Sequence, residues 1–177
     1  MMERESLLRS AMETYGDTVY RLALCRTQSV PDAEDVYQEV FLRLWKQAAE
    51  DWDGDRAKAW LIRTTLNRCA DLHRFHLRRP VLSFAEIPDL AQPEDESREL
   101  WEAVSRLPEK ARTAVHLYYA EGYSAEEISQ LMHIPAATVR TRLHRARKQL
   151  KELLGGIDDE TCVSRSDGTN FGPQRAE

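Results

Sequence analysis

Between Thr138 and Lys151 stand six lysines and arginines and no acidic residue. Set on a helical wheel at about 100° per residue, Arg140, Thr141, His144, Arg145, Arg147, Lys148 and Lys151 share one face, with Arg142 on its flank. Val139, Leu143, Ala146, Leu150 and Leu153 form a narrow stripe on the opposite face. One side is therefore apolar and the other is almost entirely hydrogen-bond donors. Arginine pairs bidentately with guanine, Thr and His reach base edges or phosphates, and the remaining cations neutralise phosphates and fix register. A second segment, 60–79, holds five arginines against Asp71 alone. Both segments suit local contact with phosphate, although the chain as a whole carries a net charge of -5. That overall charge limits non-specific DNA binding.

Other chemistries fare less well. Cys69, His73 and His76 share a helical face at a spacing that zinc can use, but no fourth ligand suggests itself. Asp51, Asp53 and Asp55 resemble the start of a calcium loop. The sixth loop position is Arg56 where glycine is needed, and the twelfth is Ile62 where glutamate is needed. The chain has no phosphate-cradling Gly-rich loop and no GxSxG element. Its carboxylates cluster in loops and on exposed faces rather than in a catalytic constellation. We expect no catalytic residue, no metal and no cofactor.

The elements that must position the basic faces are helical throughout, since nothing reads as a strand. Ser124 and Glu127 form an S-x-x-E capping box opening a short helix to Met132, His133-Ile134-Pro135 makes a tight turn, and a longer basic helix runs from about Ala136 to Leu154. Short helix, turn and longer basic helix form a helix-turn-helix layout, and that context separates a DNA reader from an ordinary solvated basic face. The apolar stripe should pack on Ile128, Leu131 and a helix that Pro108 starts and that ends near Gly122. Upstream, helices are expected over about 5–26, from Pro31 to about Glu50, and over 59–79, with a loop at 51–58. Pro80, Pro88, Pro93 and a cluster of acids mark 80–96 as a linker.

The fold class expected is therefore all-α: two small helical domains, 5–79 and 97–154, joined by a flexible acidic linker at 80–96. Gly155-Gly156 should end the last helix, and the polar tail 155–177 reads as disordered. No apolar run approaches the ~20 residues needed to span a bilayer. The N-terminus has no apolar signal core, and three scattered cysteines without a CxxC fit a reducing cytoplasm.

Two stretches carry a family resemblance. Asp32-Ala-Glu-Asp-Val-Tyr-Gln-Glu-Val-Phe-Leu-Arg-Leu-Trp45 resembles the region 2 signature of bacterial sigma factors. Leu107-Pro-Glu-Lys-Ala-Arg112, Tyr123-Ser-Ala-Glu-Glu-Ile128 and Thr138-Val-Arg-Thr-Arg-Leu-His-Arg-Ala-Arg147 resemble sigma region 4. Both in order, with a short linker and no region 3, look like the extracytoplasmic-function (ECF) class of the sigma-70 family. The resemblance implies a non-catalytic initiation subunit, monomeric within the holoenzyme. Its implied partners are bacterial core RNA polymerase, through clamp and flap, promoter DNA and an anti-sigma factor, without membrane insertion.

The resemblance also implies residue roles. Asp35, Gln38 and Glu39 match the polymerase-contact positions and share one helical face. Val36, Val40 and Leu44 read as core, whereas Phe41 and Trp45 fit core or interface equally. The loop 50–58 and the following helix match the part that captures an unstacked -10 base. Arg63, Asn67 and Asp71 lie on one face there, Asn67 suits a flipped base edge, and Arg68, Arg74, Arg78 and Arg79 suit phosphates. Trp60 reads as core. Arg140, Thr141, His144 and Arg145 match the -35 major-groove positions, with Arg112 and Lys148 as further DNA contacts. Arg142 and Arg147 suit phosphate or the polymerase flap. Two rivals remain: an autonomous duplex-binding regulator and a polymerase-binding adaptor that ignores DNA.

Overall fold

A computed structural model describes residues 2–47, 54–78 and 95–155. All regular structure among them is helical: α1 (Met2–Thr27), α2 (Val30–Gln47), α3 (Gly54–Arg78), α4 (Asp95–Ser105), α5 (Glu109–Val115, running on as a π-turn over His116–Ala120), α6 (Ala125–Met132) and α7 (Ala136–Leu153). The all-α expectation therefore holds. The expected linker up to residue 94 and the tail beyond Gly155 lie outside the described residues, as do Asp51, Asp53 and Arg79.

The first three helices pack on one another because each presents an apolar stripe at helical spacing. Val19 and Ala23 of α1 meet Val36, Val40, Phe41 and Leu44 of α2 and Leu61 of α3, all buried. Val36, Val40 and Leu44 are thus core as expected. Phe41 is core too, whereas Trp45 is 45% exposed. Trp60 is half-buried against this cluster. Gly16 is small because Tyr37 lies over it; a Cβ there would sit 3.1 Å from the Tyr37 hydroxyl.

Helices α4–α7 form the second unit. Val139, Leu143 and Ala146 of α7 pack on Ile128 and Leu131 of α6 and on Ala114 and Leu117 at α5, as the wheel implies. Each buried Val, Leu or Ile of this set contributes about 1.5–3 kcal/mol, and the alanines less. The capping box is present in full: Ser124 Oγ accepts from the Glu127 amide, and the Glu127 carboxylate accepts from the Ser124 amide at 2.8 Å. His133 takes a left-handed conformation (φ 53) that makes the turn. Gly155 (φ +72) follows the last helix in the same region of conformational space.

Two boundaries and the packing of the two units differ from the sequence reading. Helix α3 begins at Gly54, so residues 54–58 are helical rather than loop. Asp55 in its first turn favours the positive end of the helix dipole, and the Tyr15 hydroxyl donates to the Gly54 carbonyl at 2.9 Å, pinning the start to α1. Helix α4 begins at Asp95, inside the stretch read as linker. The apolar core is also shared: Leu22 of α1 and Ile62 and Leu66 of α3 belong to the same buried cluster as Leu107, Val115, Leu117 and Ile128. The two helical units are therefore packed together.

Candidate nucleic-acid interface

The α6–turn–α7 unit presents its basic face outward. Arg140, Thr141, His144, Arg145, Arg147 and Lys148 are exposed, and Arg142 is half-buried on the flank. The Arg140 guanidinium is paired with the Glu126 carboxylate of α6, and Thr141 Oγ1 donates to the Ala137 carbonyl at 2.9 Å. Both interactions are exposed, so they orient the side chains without removing them from a groove. Arg147 lies elsewhere: its Nε donates to the Tyr119 hydroxyl at 2.7 Å, and its guanidinium stacks near the Tyr118 and Tyr119 rings. That brace ties the π-turn to α7.

Arg112 is not where the sequence reading puts it. It is 6% exposed, and its guanidinium donates to the carbonyls of Cys25 and Arg26 in the last turn of α1 and of Ser105 and Leu107 beside α5. A guanidinium enclosed by four carbonyls offers nothing to a phosphate, so Arg112 is withdrawn from the DNA-contact set in this arrangement. Burial lowers its pKa from the ordinary value, against the raising effect of neighbours such as Glu109. Around it the Arg26 guanidinium pairs with the Glu109 carboxylate, and the Gln28 amide donates to the Ser105 carbonyl at 2.8 Å.

On the first unit, Arg63, Asn67, Asp71 and Arg74 lie along the exposed face of α3. Asp71 pairs with Arg74 at 3.5 Å. Arg68 is half-buried and ion-paired with Glu39 of α2, which also accepts from Arg43 at 2.8 Å. Of the α2 trio, Asp35 and Gln38 are exposed, whereas Glu39 is already engaged. An open cleft between α2 and α3 is lined by Asp35, Arg68, Asp71, Leu72, Arg74 and Phe75. The two residue sets read separately from sequence thus abut across this cleft. Arg78 is in the last turn of α3.

Beside the Asp35, Gln38 and Glu39 trio, sequence reasoning missed Leu42 and left Trp45 open between core and interface. Leu42 and Trp45 are 48% and 45% exposed. With Asp35 and Gln38 they make one stripe at i, i+3, i+7 and i+10, a spacing that was legible. The Cys69–His73–His76 face is divided by packing. Cys69 is buried, its thiol pushed up to about 12 chiefly by that burial; His73 is exposed; and His76 lies 3.3 Å from Asp32. No cluster of three ligating side chains occurs among the described residues.

Comparison with known proteins decides the family. Residues 11–79 match the family model for sigma-70 region 2, and residues 97–150 match that for sigma-70 region 4. ECF RNA polymerase sigma factor SigM of Bacillus subtilis is 32% identical over 157 residues, covering 84% of this chain and 96% of SigM. The chain belongs to the ECF RNA polymerase sigma factors. ECF RNA polymerase sigma factor SigE of Mycolicibacterium smegmatis is 34% identical, covering 85% of this chain and 62% of SigE. The probable RNA polymerase sigma factor RfaY of Xanthomonas campestris pv. campestris is 33% identical, covering 80% and 39%. The chain therefore spans less than two thirds of the length of SigE and of RfaY.

Among solved structures, CnrH in complex with the cytosolic domain of CnrY matches at 25% identity and a TM-score of 0.61, covering 87% of this chain and 91% of CnrH. The sigma factor RpoE from Bartonella quintana, in complex with the anti-sigma factor NepR, shares the fold with a TM-score of 0.70 at 24% identity, covering 83% and 96%. In the terms of the family, α1–α3 carry region 2 and α4–α7 carry region 4. Among the described residues no helix is long and apolar enough to cross a membrane.

Proposed function

We propose that this chain is an alternative sigma factor that binds core RNA polymerase and directs promoter-specific initiation. The observation that carries the reading is the pairing of two faces in one ECF chain. One is the exposed basic face of α7 above a fully capped α6; the other is the mixed acidic and apolar stripe of α2. Arg140, Thr141, His144, Arg145 and Lys148 face the -35 major groove and its phosphates. Arg63, Asn67, Asp71 and Arg74 meet the opened -10 strand, with Arg68 at the edge of the same cleft and Arg78 and Arg79 toward the flanking phosphates. Asp35, Gln38 and Glu39, joined by Leu42 and Trp45, dock on a basic coiled coil of the polymerase clamp.

The protein does no chemistry itself; catalysis belongs to the polymerase, and the chain supplies promoter choice from within the cytoplasm. Residues 5–79 and 97–154 act as the two recognition units, with 80–96 as the connection between them. An anti-sigma partner is part of the reading, because CnrH and RpoE were each solved with a bound partner chain. Asp35→Lys tests the clamp assignment, since Asp35 is exposed and its reversal leaves the Glu39 ion pairs intact. Co-elution with core polymerase on a sizing column should be lost while the far-UV CD spectrum is unchanged. Normal co-elution by that variant would remove α2 from the clamp interface.

A further inference from the structure

Of the three cations placed toward the -35 element, Arg140, Arg145 and Lys148, only Arg140 is held in an ion pair among the described residues. Its Nη2 donates to Oε1 of Glu126, in the first turn of α6 and fourteen residues away. The pair therefore joins the two helices of the helix-turn-helix. Glu126 is not needed for the cap of α6. Glu127 makes that cap, its carboxylate accepting from the Ser124 amide and hydroxyl, each at 2.8 Å. The Arg140 and Glu126 side chains are 62% and 58% exposed. Exposed pairs of this kind add little to stability, because water competes for both partners. The consequence of the Glu126 carboxylate lies on DNA.

In a helix-turn-helix the first helix crosses the phosphate backbone and the start of the second meets base edges. A carboxylate in the first turn of α6 opposes backbone contact by like-charge repulsion. It also neutralises Arg140, and a cation already paired displaces less bound salt from phosphates. Against guanine the balance is reversed. Glu126 takes one N–H of Nη2, and the remaining donors of the guanidinium stay available in a fixed plane. Guanine offers two acceptors, O6 and N7, that match such a fork. Holding the plane beforehand reduces the rotamer freedom that a long side chain loses on binding. The backbone beneath it is anchored as well. Val139 is fully buried, and Thr141 is tied to the Ala137 carbonyl.

We propose that Glu126 is the positioning residue that sets specificity in the -35 reader: its carboxylate orients Arg140 on one guanine edge and withholds that cation from phosphates. The inference rests on the sigma-factor reading above and deepens it. Glu126 acts through Arg140 and contacts no base itself. The pair trades backbone attraction for discrimination at a single base pair.

The test is run-off transcription by holoenzyme, assembled from core polymerase and the full chain, on promoters carrying every single-base change in the -35 element. Arg140→Ala identifies the base pair that Arg140 reads, as the position where discrimination is lost. A bidentate contact discriminates there by roughly 5–150-fold. Glu126→Ala should shrink that ratio at least ~3-fold at this pair and keep the ratios at the others. In the Arg140→Ala chain it should change that ratio no further. Glu126→Gln keeps the size and an acceptor oxygen but not the charge, and should lie between. With Glu126→Ala, the plot of log promoter binding against log salt should steepen by about 1, since Arg140 is then released to a phosphate. Three results would each overturn the proposal while leaving the sigma reading intact, because the wild-type chain reports that reading alone. They are ratios unaltered by Arg140→Ala or Glu126→Ala, an even fall across all promoters with Glu126→Ala, and a salt slope that is unchanged or shallower. No protein-dependent transcript from the wild-type chain would overturn both.

Discussion

Replacing Arg112 with Ala removes a guanidinium that donates to four carbonyls. Hydrogen bonds from a charged donor contribute about 1.5–3 kcal/mol each, a gross loss of ~6–12 kcal/mol. Most of that is offset, because the buried guanidinium no longer has to be stripped of water. What remains is set by the stranded acceptors. Cys25 and Arg26 lie in the last turn of α1, where carbonyls lack intrahelical partners. Two such buried groups left unpaired cost about 1–3 kcal/mol each. We expect a net loss of ~3–4 kcal/mol, which lowers the urea midpoint by about 1.5–2 M at a slope of ~2 kcal/mol/M. Arg112→Lys should lose roughly half as much, since an ammonium keeps the charge but not the planar fork. A loss under about 1 kcal/mol for Arg112→Ala would refute the reasoning and return Arg112 to the DNA-contact set.

Three further outcomes are expected. Ser124→Ala should cost ~1 kcal/mol of stability by removing the cap of α6, read by urea denaturation; no change would mean the capping box contributes nothing. Burial holds the His116 imidazole below its ordinary pKa of 6.5, outweighing the upward pull of Glu121, with Arg21 of α1 adding to the depression. Because the folded value is the lower one, the unfolded chain takes up the proton first. The stability from neutral His116 is therefore full above about pH 6.5 and is lost as pH falls through the folded value. Replacing His116 with Gln should flatten the pH dependence of the urea midpoint below about pH 6.5; an unaltered pH slope would exclude His116. Arg140→Ala and Arg145→Ala should each weaken promoter use by ~1–3 kcal/mol while core binding survives. Unchanged promoter choice in the double variant would remove α7 from the -35 element.

The parts legible in the sequence are those governed by local rules. The S-x-x-E cap, the turn at His133 and the α7 stripe each depend on neighbours within a few residues, and each has the form expected. Val36, Val40 and Leu44 followed from helical periodicity in the same way. The start of α3 was missed because Gly54 and its acidic neighbours resemble a loop, and the Tyr15 contact that fixes it comes from 39 residues away. Arg112 was misplaced for a similar reason. Its motif identifies the family, but only the packing of α1 against α5 shows that its guanidinium is enclosed. Leu22, Ile62 and Leu66 were readable as apolar positions, yet no local pattern tells which of two units an apolar stripe will cover.

The most direct test of the central claim is run-off transcription with bacterial core RNA polymerase on a promoter library, with and without the full chain. The account predicts transcripts that depend on the protein and share paired -35 and -10 elements. Failure to produce such transcripts, together with tight binding of the protein alone to a duplex operator, would contradict it and establish an autonomous regulator instead.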